Sequence, residues 1–171
     1  MFDTQSGYEF KYEGCSPSLE GMPRKIHRYT FLNREGYSYT VLVDEFDDCH
    51  LFGIKYFRND YYDTKEQYSI ILNTYDYKNV IATILNIIVH IYKEQTFASF
   101  VFQGAACEGE SENNTQRFRV WLLLAKNFFP KTIFDFKDHI NKSVVVLRNK
   151  SCTKKVIETI DDILKNHGVI F

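Results

Sequence analysis

The stretch NVIATILNIIVHIYKEQ, residues 79–95, restricts the fold more than any other part of the chain. Val80, Ile84, Ile87, Ile88 and Ile91 recur at the spacing that lines them up on one helical stripe, and Ile81 and Leu85 widen it. Thr83, Asn86, His90 and Lys93 make a narrower polar stripe opposite, with His90 expected at the surface. Such a helix has to be covered around most of its circumference, which requires a sheet beside it. It is too short and too often interrupted by polar residues to span a bilayer. Asp76, just ahead of it, has the side chain to accept from the first-turn amides as a cap.

The flanking sequence supplies the strands. YEFKY (8–12) reads as a short one, and EGCSPSLEGMPRK (13–25) collects Gly, Ser and Pro as a loop, so residues 1–25 are expected to be largely irregular. IHRYTFL, the turn NREG and YSYTVLVDEF form a hairpin with Gly36 supplying a positive φ. CHLFGIKYF follows, with Gly53 placed for a bulge, and then YSIILN (68–73), apolar enough to be central. FASFVFQG comes after the long helix. A second helix, from about Asn113 to Phe128, turns Phe118, Trp121, Leu122 and Ala125 to one side until Pro130 stops it. TIFDF and SVVVLRN are strands, and TKKVIETIDDILKNHG closes the chain with Val156, Ile160, Ile163 and Leu164 inward and Gly168 at its end. The expected fold is a single α+β domain over residues 1–171: a largely antiparallel, twisted sheet of about six to seven strands with three main helices. The 15 Phe, 12 Tyr and one Trp mostly fall in strand-like runs, where they pack a core; the remainder suit a contact surface.

Charge is divided unevenly. Residues 34–76 hold four basic side chains against nine acidic ones, and residues 126–155 hold eight basic against two acidic. A basic segment with Lys142, Arg148, Lys150, Lys154 and Lys155 raises nucleic-acid binding as one function class, although no nucleic-acid motif accompanies it and the whole chain carries only −1. The four cysteines show no CxxC or CxxxH spacing, and MFDTQSGYEFKYEG has no apolar segment of the signal-peptide kind. Reduced thiols in a cytoplasmic protein, away from the membrane and without a zinc site, are expected. DEFDDCH (44–50) gathers oxygen ligands but lacks the spacing of a calcium loop, and His27, His50, His90 and His139 sit in no diagnostic motif. No catalytic residue, metal or cofactor is assigned.

The loop GAACEGESENNT between a strand and a helix raises the question of phosphate binding, since helix N-termini attract anions. Glu108, Glu110 and Glu112 would occupy that positive end themselves, so the loop is expected to cap its helix with its own charge. Arg117 and Arg119, two residues apart, project from different faces and do not converge on one anion.

The order YSIILN, helix 76–95, FASFVFQG, ENNTQRFRVWLLLAKNFF and TIFDF, about residues 68–136, resembles the second half of the GCN5-related N-acyltransferase fold. Asn113 or Asn114, Trp121 and Phe128–Phe129 stand near that family's Asn-containing turn and aromatic helix end. The resemblance implies an acyl-CoA site at the start of the long helix, where the family has a glycine-rich pyrophosphate loop. Here the stretch is NTYDYKNVIAT: no glycine occurs between Gly53 and Gly104, and Asp76 adds negative charge. The Arg117–Arg119–Trp121 helix after a strand is also similar to small proteins of Bacteroidota and their phages, which implies no function. The function expected is therefore a non-catalytic binding module of the inhibitor or immunity type, acting on a protein partner. Its candidate contact residues are Tyr61, Tyr62 and Asp63 within FRNDYYDTKEQY, with Arg117 and Arg119. The alternatives are an acyltransferase-like enzyme using acyl-CoA, with its cleft where the strands on either side of the long helix splay apart, and nucleic-acid binding through the basic third.

Overall fold

The computed structural model describes residues 4–18, 24–46, 50–68 and 76–166. They form an α+β fold in which one seven-stranded sheet carries every strand. In chain order these are β1 (Phe10–Ser18), β2 (Arg24–Leu32), β3 (Ser38–Phe46), β4 (Leu51–Arg58), helix α1 (Tyr77–Glu94), β5 (Ser99–Gln103), helix α2 (Gln116–Phe128), β6 (Phe134–His139), β7 (Val144–Asn149) and helix α3 (Lys154–Asn166). Across the sheet the order is β1-β2-β3-β4-β5-β7-β6. Only β4 and β5 run parallel, because α1 returns the chain between them; all other neighbours are antiparallel.

Successive residues of the middle strands point to opposite faces, and both faces are covered. Phe100, Phe102, Val145 and Leu147 join Val41, Ile54 and Tyr56 in a core shared with α1 and α2. Their neighbours Val101, Val144 and Val146 join Phe46 and Leu51 under Val156 and Ile160 of α3. The long apolar helix is thus sandwiched as its pattern requires: Val80, Ile81, Ala82, Thr83, Ile84, Leu85, Ile87, Ile88 and Ile91 are all buried. His90 is exposed, as its stripe predicts, and sits edge-on to Phe10 and Tyr29. Thr83 departs from that stripe. It is buried because its hydroxyl accepts from the Tyr8 amide at 2.8 Å while donating to the Asn79 carbonyl at 2.8 Å. No helix among the described residues is long and apolar enough to cross a membrane.

Several local expectations are corrected. The N-terminal segment is not irregular through residue 25: β1 runs to Ser18 and β2 begins at Arg24, because Gly14 absorbs a bulge at φ +106° and lets pairing continue. Gly53, by contrast, holds regular register opposite Asp44 and makes no bulge. The strand paired in parallel with β5 is β4; Tyr68 lies in a turn, and the rest of the expected strand YSIILN, with residues 74–75, lies outside the described residues, as does Gly168. Helix α2 starts at Gln116 rather than Asn113 because Thr115, not an asparagine, caps it. Leu124 takes the buried place expected of Leu122, which is only half-buried.

Candidate functional site

Beyond Ile54 and Phe102 the parallel pairing ends, and β4 continues to Arg58 paired only with β3, then enters the turn Asn59–Tyr61. Asn59 fixes that turn from both ends of its amide: Oδ1 accepts from Thr40 Oγ1 at 2.7 Å and Nδ2 donates to Ser38 Oγ at 2.8 Å. On this base Arg58 is clamped. Its Nε and Nη2 donate to the two carboxylate oxygens of Asp60 at 2.7 and 2.8 Å, and its guanidinium lies 4.3 Å from the Tyr37 ring centre and 4.8 Å from that of Tyr61. A bidentate carboxylate and two ring faces leave the arginine little rotamer freedom. The Asp60 contact, above all, holds the guanidinium still further above its already high ordinary value.

The loop that follows is built from short-range bonds. The Tyr62 amide donates to Asn59 at 3.1 Å, Thr64 Oγ1 to the Tyr61 carbonyl at 2.7 Å, and the Asp63 amide to Gln67 Oε1 at 3.2 Å. Asp63 itself adopts the left-handed region at φ +59°, which Asp tolerates better than most side chains. Tyr62 is 63% exposed, touching the protein chiefly through Phe57 at 5.8 Å between ring centres. Asp60, Asp63 and Glu66 are exposed around it, with Lys65 the one basic side chain between them.

The five candidate contact residues therefore divide. Tyr61, Tyr62 and Asp63 share this surface. Arg117 reaches the far end of the same loop, where Nη1 donates to the Tyr68 carbonyl and the guanidinium lies 4.9 Å from the Tyr56 ring centre; it is half-buried and fastens the loop to α2. Arg119 points elsewhere, its Nη1 donating to the Asn114 carbonyl at 2.5 Å, as the two-residue spacing implies. Arg58 and Tyr37 belong to the surface and escaped the sequence reading. Arg58–Asp60 is visible as a local pair, but Tyr37 comes from the hairpin turn and only folding brings it near.

Asp76, expected to cap α1, does something else. It occupies the N-cap position, yet its side chain makes no capping bond. Fully buried, the carboxylate accepts from the Tyr8 hydroxyl, from Asn33 Nδ2 at 2.9 Å and from Asn79 Nδ2 at 3.0 Å, with Arg34 Nε 3.9 Å away. Burial, then this carboxylate, pushes the Tyr8 phenol above its ordinary value. The start of the helix is thus tied to both the N-terminal segment and the hairpin turn.

The loop before α2 closes its helix with protein groups as well. Glu110 accepts from the Gln116 amide at 2.7 Å and from the Cys107 amide at 3.0 Å, while Thr115 Oγ1 accepts from the Phe118 amide at 3.1 Å. The Cys107 amide, foremost among these contacts, holds the Glu110 carboxyl below its ordinary value. Gly104 is required for close contact. A β-carbon on it would stand 2.3 Å from the Phe118 nitrogen and 2.5 Å from Thr115 Oγ1, so only glycine lets the helix start approach β5 so closely.

The remaining candidates disperse. Asp44 pairs with Lys55 at 2.9 Å and Glu45 with His27 at 2.9 Å, on opposite faces of β3. Residues 47–49 of the acidic segment lie outside the described residues, and among the described ones no His, Cys, Asp and Glu group could hold a metal ion. In the basic third, Arg148 and Lys150 flank Asp135 at 3.1 and 3.7 Å, Lys154 pairs with Glu158 at 3.6 Å, and Lys142 donates to the Leu164 carbonyl. Part of that charge is compensated within the chain. No protein-family model, curated protein or solved structure matches this chain.

Proposed function

We propose that the protein is a non-catalytic binding module of the inhibitor or immunity type, and that Tyr37, Arg58, Tyr61, Tyr62 and Asp63 form its contact surface. The observation that carries this reading is the clamped Arg58 between two tyrosine rings, with Tyr62 exposed beside it. Tyrosine and arginine contribute disproportionately to interface energies, and side chains already immobilised lose little entropy when a partner arrives. The surrounding Asp60, Asp63 and Glu66 favour a partner that presents a basic surface. Thiols at Cys15, Cys107 and Cys152 suit a reducing, cytoplasmic setting.

The test is retention of a partner from cells that express the protein. The wild-type chain should hold one protein in stoichiometric amount, and the exposed-site variant carrying Tyr62→Ala and Asp63→Lys should lose it while melting normally. A partner held equally by both, or none held by the wild type, contradicts the reading.

A second reading, an acyltransferase-like enzyme using acyl-CoA, draws support from the divergence of β4 and β5. Ile54, Lys55, Tyr56, Tyr68, Gln103, Arg117 and Trp121 line a recess there of about 10 Å³, which this reading requires to widen when a ligand binds. Trp121 is the only tryptophan, so its emission reports on that recess. A saturable change on adding acetyl-CoA would favour the enzyme, and an unchanged spectrum the binding module.

A further inference from the structure

The outermost strand carries an irregularity with a chemical consequence. Tyr12 and Cys15 are three residues apart, a spacing that in an unbroken strand sends side chains to opposite faces. Here Tyr12 pairs with Tyr29, Gly14 with Arg28 and Cys15 with His27, so one residue is inserted between them. The insertion resets the alternation and turns Tyr12 and Cys15 to the same face, beside His27 of β2 and Glu45 of β3.

Glu45, His27 and Tyr12 form a connected series, and Cys15 stands beside it. His27 Nε2 lies 2.9 Å from Glu45 Oε2, and since a carboxylate only accepts, Nε2 carries the proton and Nδ1 keeps its lone pair. The Tyr12 hydroxyl, 3.0 Å from Nδ1, donates to it. Cys15 stands directly across from His27 in the strand register, on the same face as the Tyr12 hydroxyl. Burial, then the thiol, pushes the Tyr12 phenol above its ordinary value, so it relays a proton without itself ionising. Glu45 is buried, His27 is largely covered, and Cys15 is exposed. The base and the acid that orients it are sheltered while the nucleophile faces solvent, which is the arrangement of an activated nucleophile.

We propose that Cys15 is a nucleophilic thiol, activated through Tyr12 and His27 with Glu45 holding the imidazole, that undergoes exchange with low-molecular-weight disulfides. The thiol proton passes to the Tyr12 oxygen as the Tyr12 proton passes to His27 Nδ1, leaving a thiolate and an imidazolium held by Glu45. The thiolate attacks one sulfur of the disulfide, a Cys15–S–S–R bond forms, and the original S–S bond breaks. The departing RS⁻ recovers the proton from His27 by the reverse path, so one disulfide replaces another without any further oxidant. Such exchange suits an exposed outer strand, because charge moves from sulfur to sulfur and no oxyanion needs stabilising, as acyl transfer would require. The proposal stands independently of the contact surface around Arg58.

The test is the initial rate of mixed-disulfide formation with oxidised glutathione on the full chain, read peptide by peptide by mass spectrometry. Cys15 should form the adduct first, ahead of the half-buried Cys107 and Cys152. Tyr12→Phe, which keeps the ring packed 5.0 Å from Tyr29, and His27→Gln should each slow Cys15 about threefold or more while leaving Cys107 and Cys152 unchanged. The expected change is modest because a more abundant thiolate is also a weaker nucleophile. Mere loosening of the strand would raise the rate at Cys15, opposite to the expected sign. Unchanged or faster labelling in both variants overturns the proposal.

Discussion

The starts of α1 and α2 solve one problem in two ways. Both present unpaired amides and a positive end, and both receive a carboxylate from the protein itself. At α2 the carboxylate is Glu110, near the surface, bonded directly to backbone amides beside the Thr115 cap. At α1 it is Asp76, fully buried, bonded to side chains of Tyr8, Asn33 and Asn79 and making no side-chain cap. The first is a local arrangement of a loop with the helix it precedes. The second joins three segments distant in sequence, so it specifies tertiary structure. In both, the position an external phosphate would take is already negatively charged.

The difference predicts a graded series of losses. Asp76→Ala leaves three donors, the buried Asn33 amide among them, without their acceptor and should cost about 3 kcal/mol, roughly 10 °C in Tm for a chain of this length. If thermal unfolding shows α1 no more sensitive than α2, the contrast between the two starts fails. Gly104→Ala forces a β-carbon against the α2 backbone and should cost about 2 kcal/mol, through overpacking rather than lost bonding. Thr115→Ala removes the cap and should cost about 1 kcal/mol in denaturant titration. Glu110→Gln should be the mildest at neutral pH, about 0.5 kcal/mol.

The Glu110 variant also carries a pH signature. Its folded carboxyl is depressed relative to the ordinary value of 4.5, so the stability it contributes is present in full above that value. As pH falls from there through the depressed folded value, the unfolded chain takes up the proton first and the contribution is lost. Melting curves of wild type and Glu110→Gln should therefore converge in acid; a gap as wide at pH 3 as at pH 7 would argue that the carboxylate charge has no part in it.

How much of this could be read in the sequence depended on the range of the interactions. The α1 pattern is local and periodic, so Val80 to Ile91 announced a covered helix, and the β-branched apolar runs in β3 and β7 announced strands. The bulge at Gly14 defeated the reading of β1, because Gly, Ser and Pro within a few residues look the same in a bulged edge strand and in a loop. Asp76 was legible as important but not in its role, since a cap and a buried junction both call for a short acid ahead of a helix. The surface at Tyr61 and Tyr62 was visible through its composition, whereas its Tyr37–Arg58 half was not, because Tyr37 comes from the β2–β3 turn, distant in sequence and brought near only by strand pairing. The Cys15–Tyr12–His27–Glu45 grouping was invisible for the same reason, being set by strand register and one inserted residue.

Thermal melting in rising concentrations of acetyl-CoA, with inorganic pyrophosphate in parallel, tests most directly whether both helix starts are closed by the protein's own acids. The account predicts a Tm that does not move with either ligand. A Tm that climbs with concentration, as binding to the folded state demands, would show that an anion is seated there and contradict it.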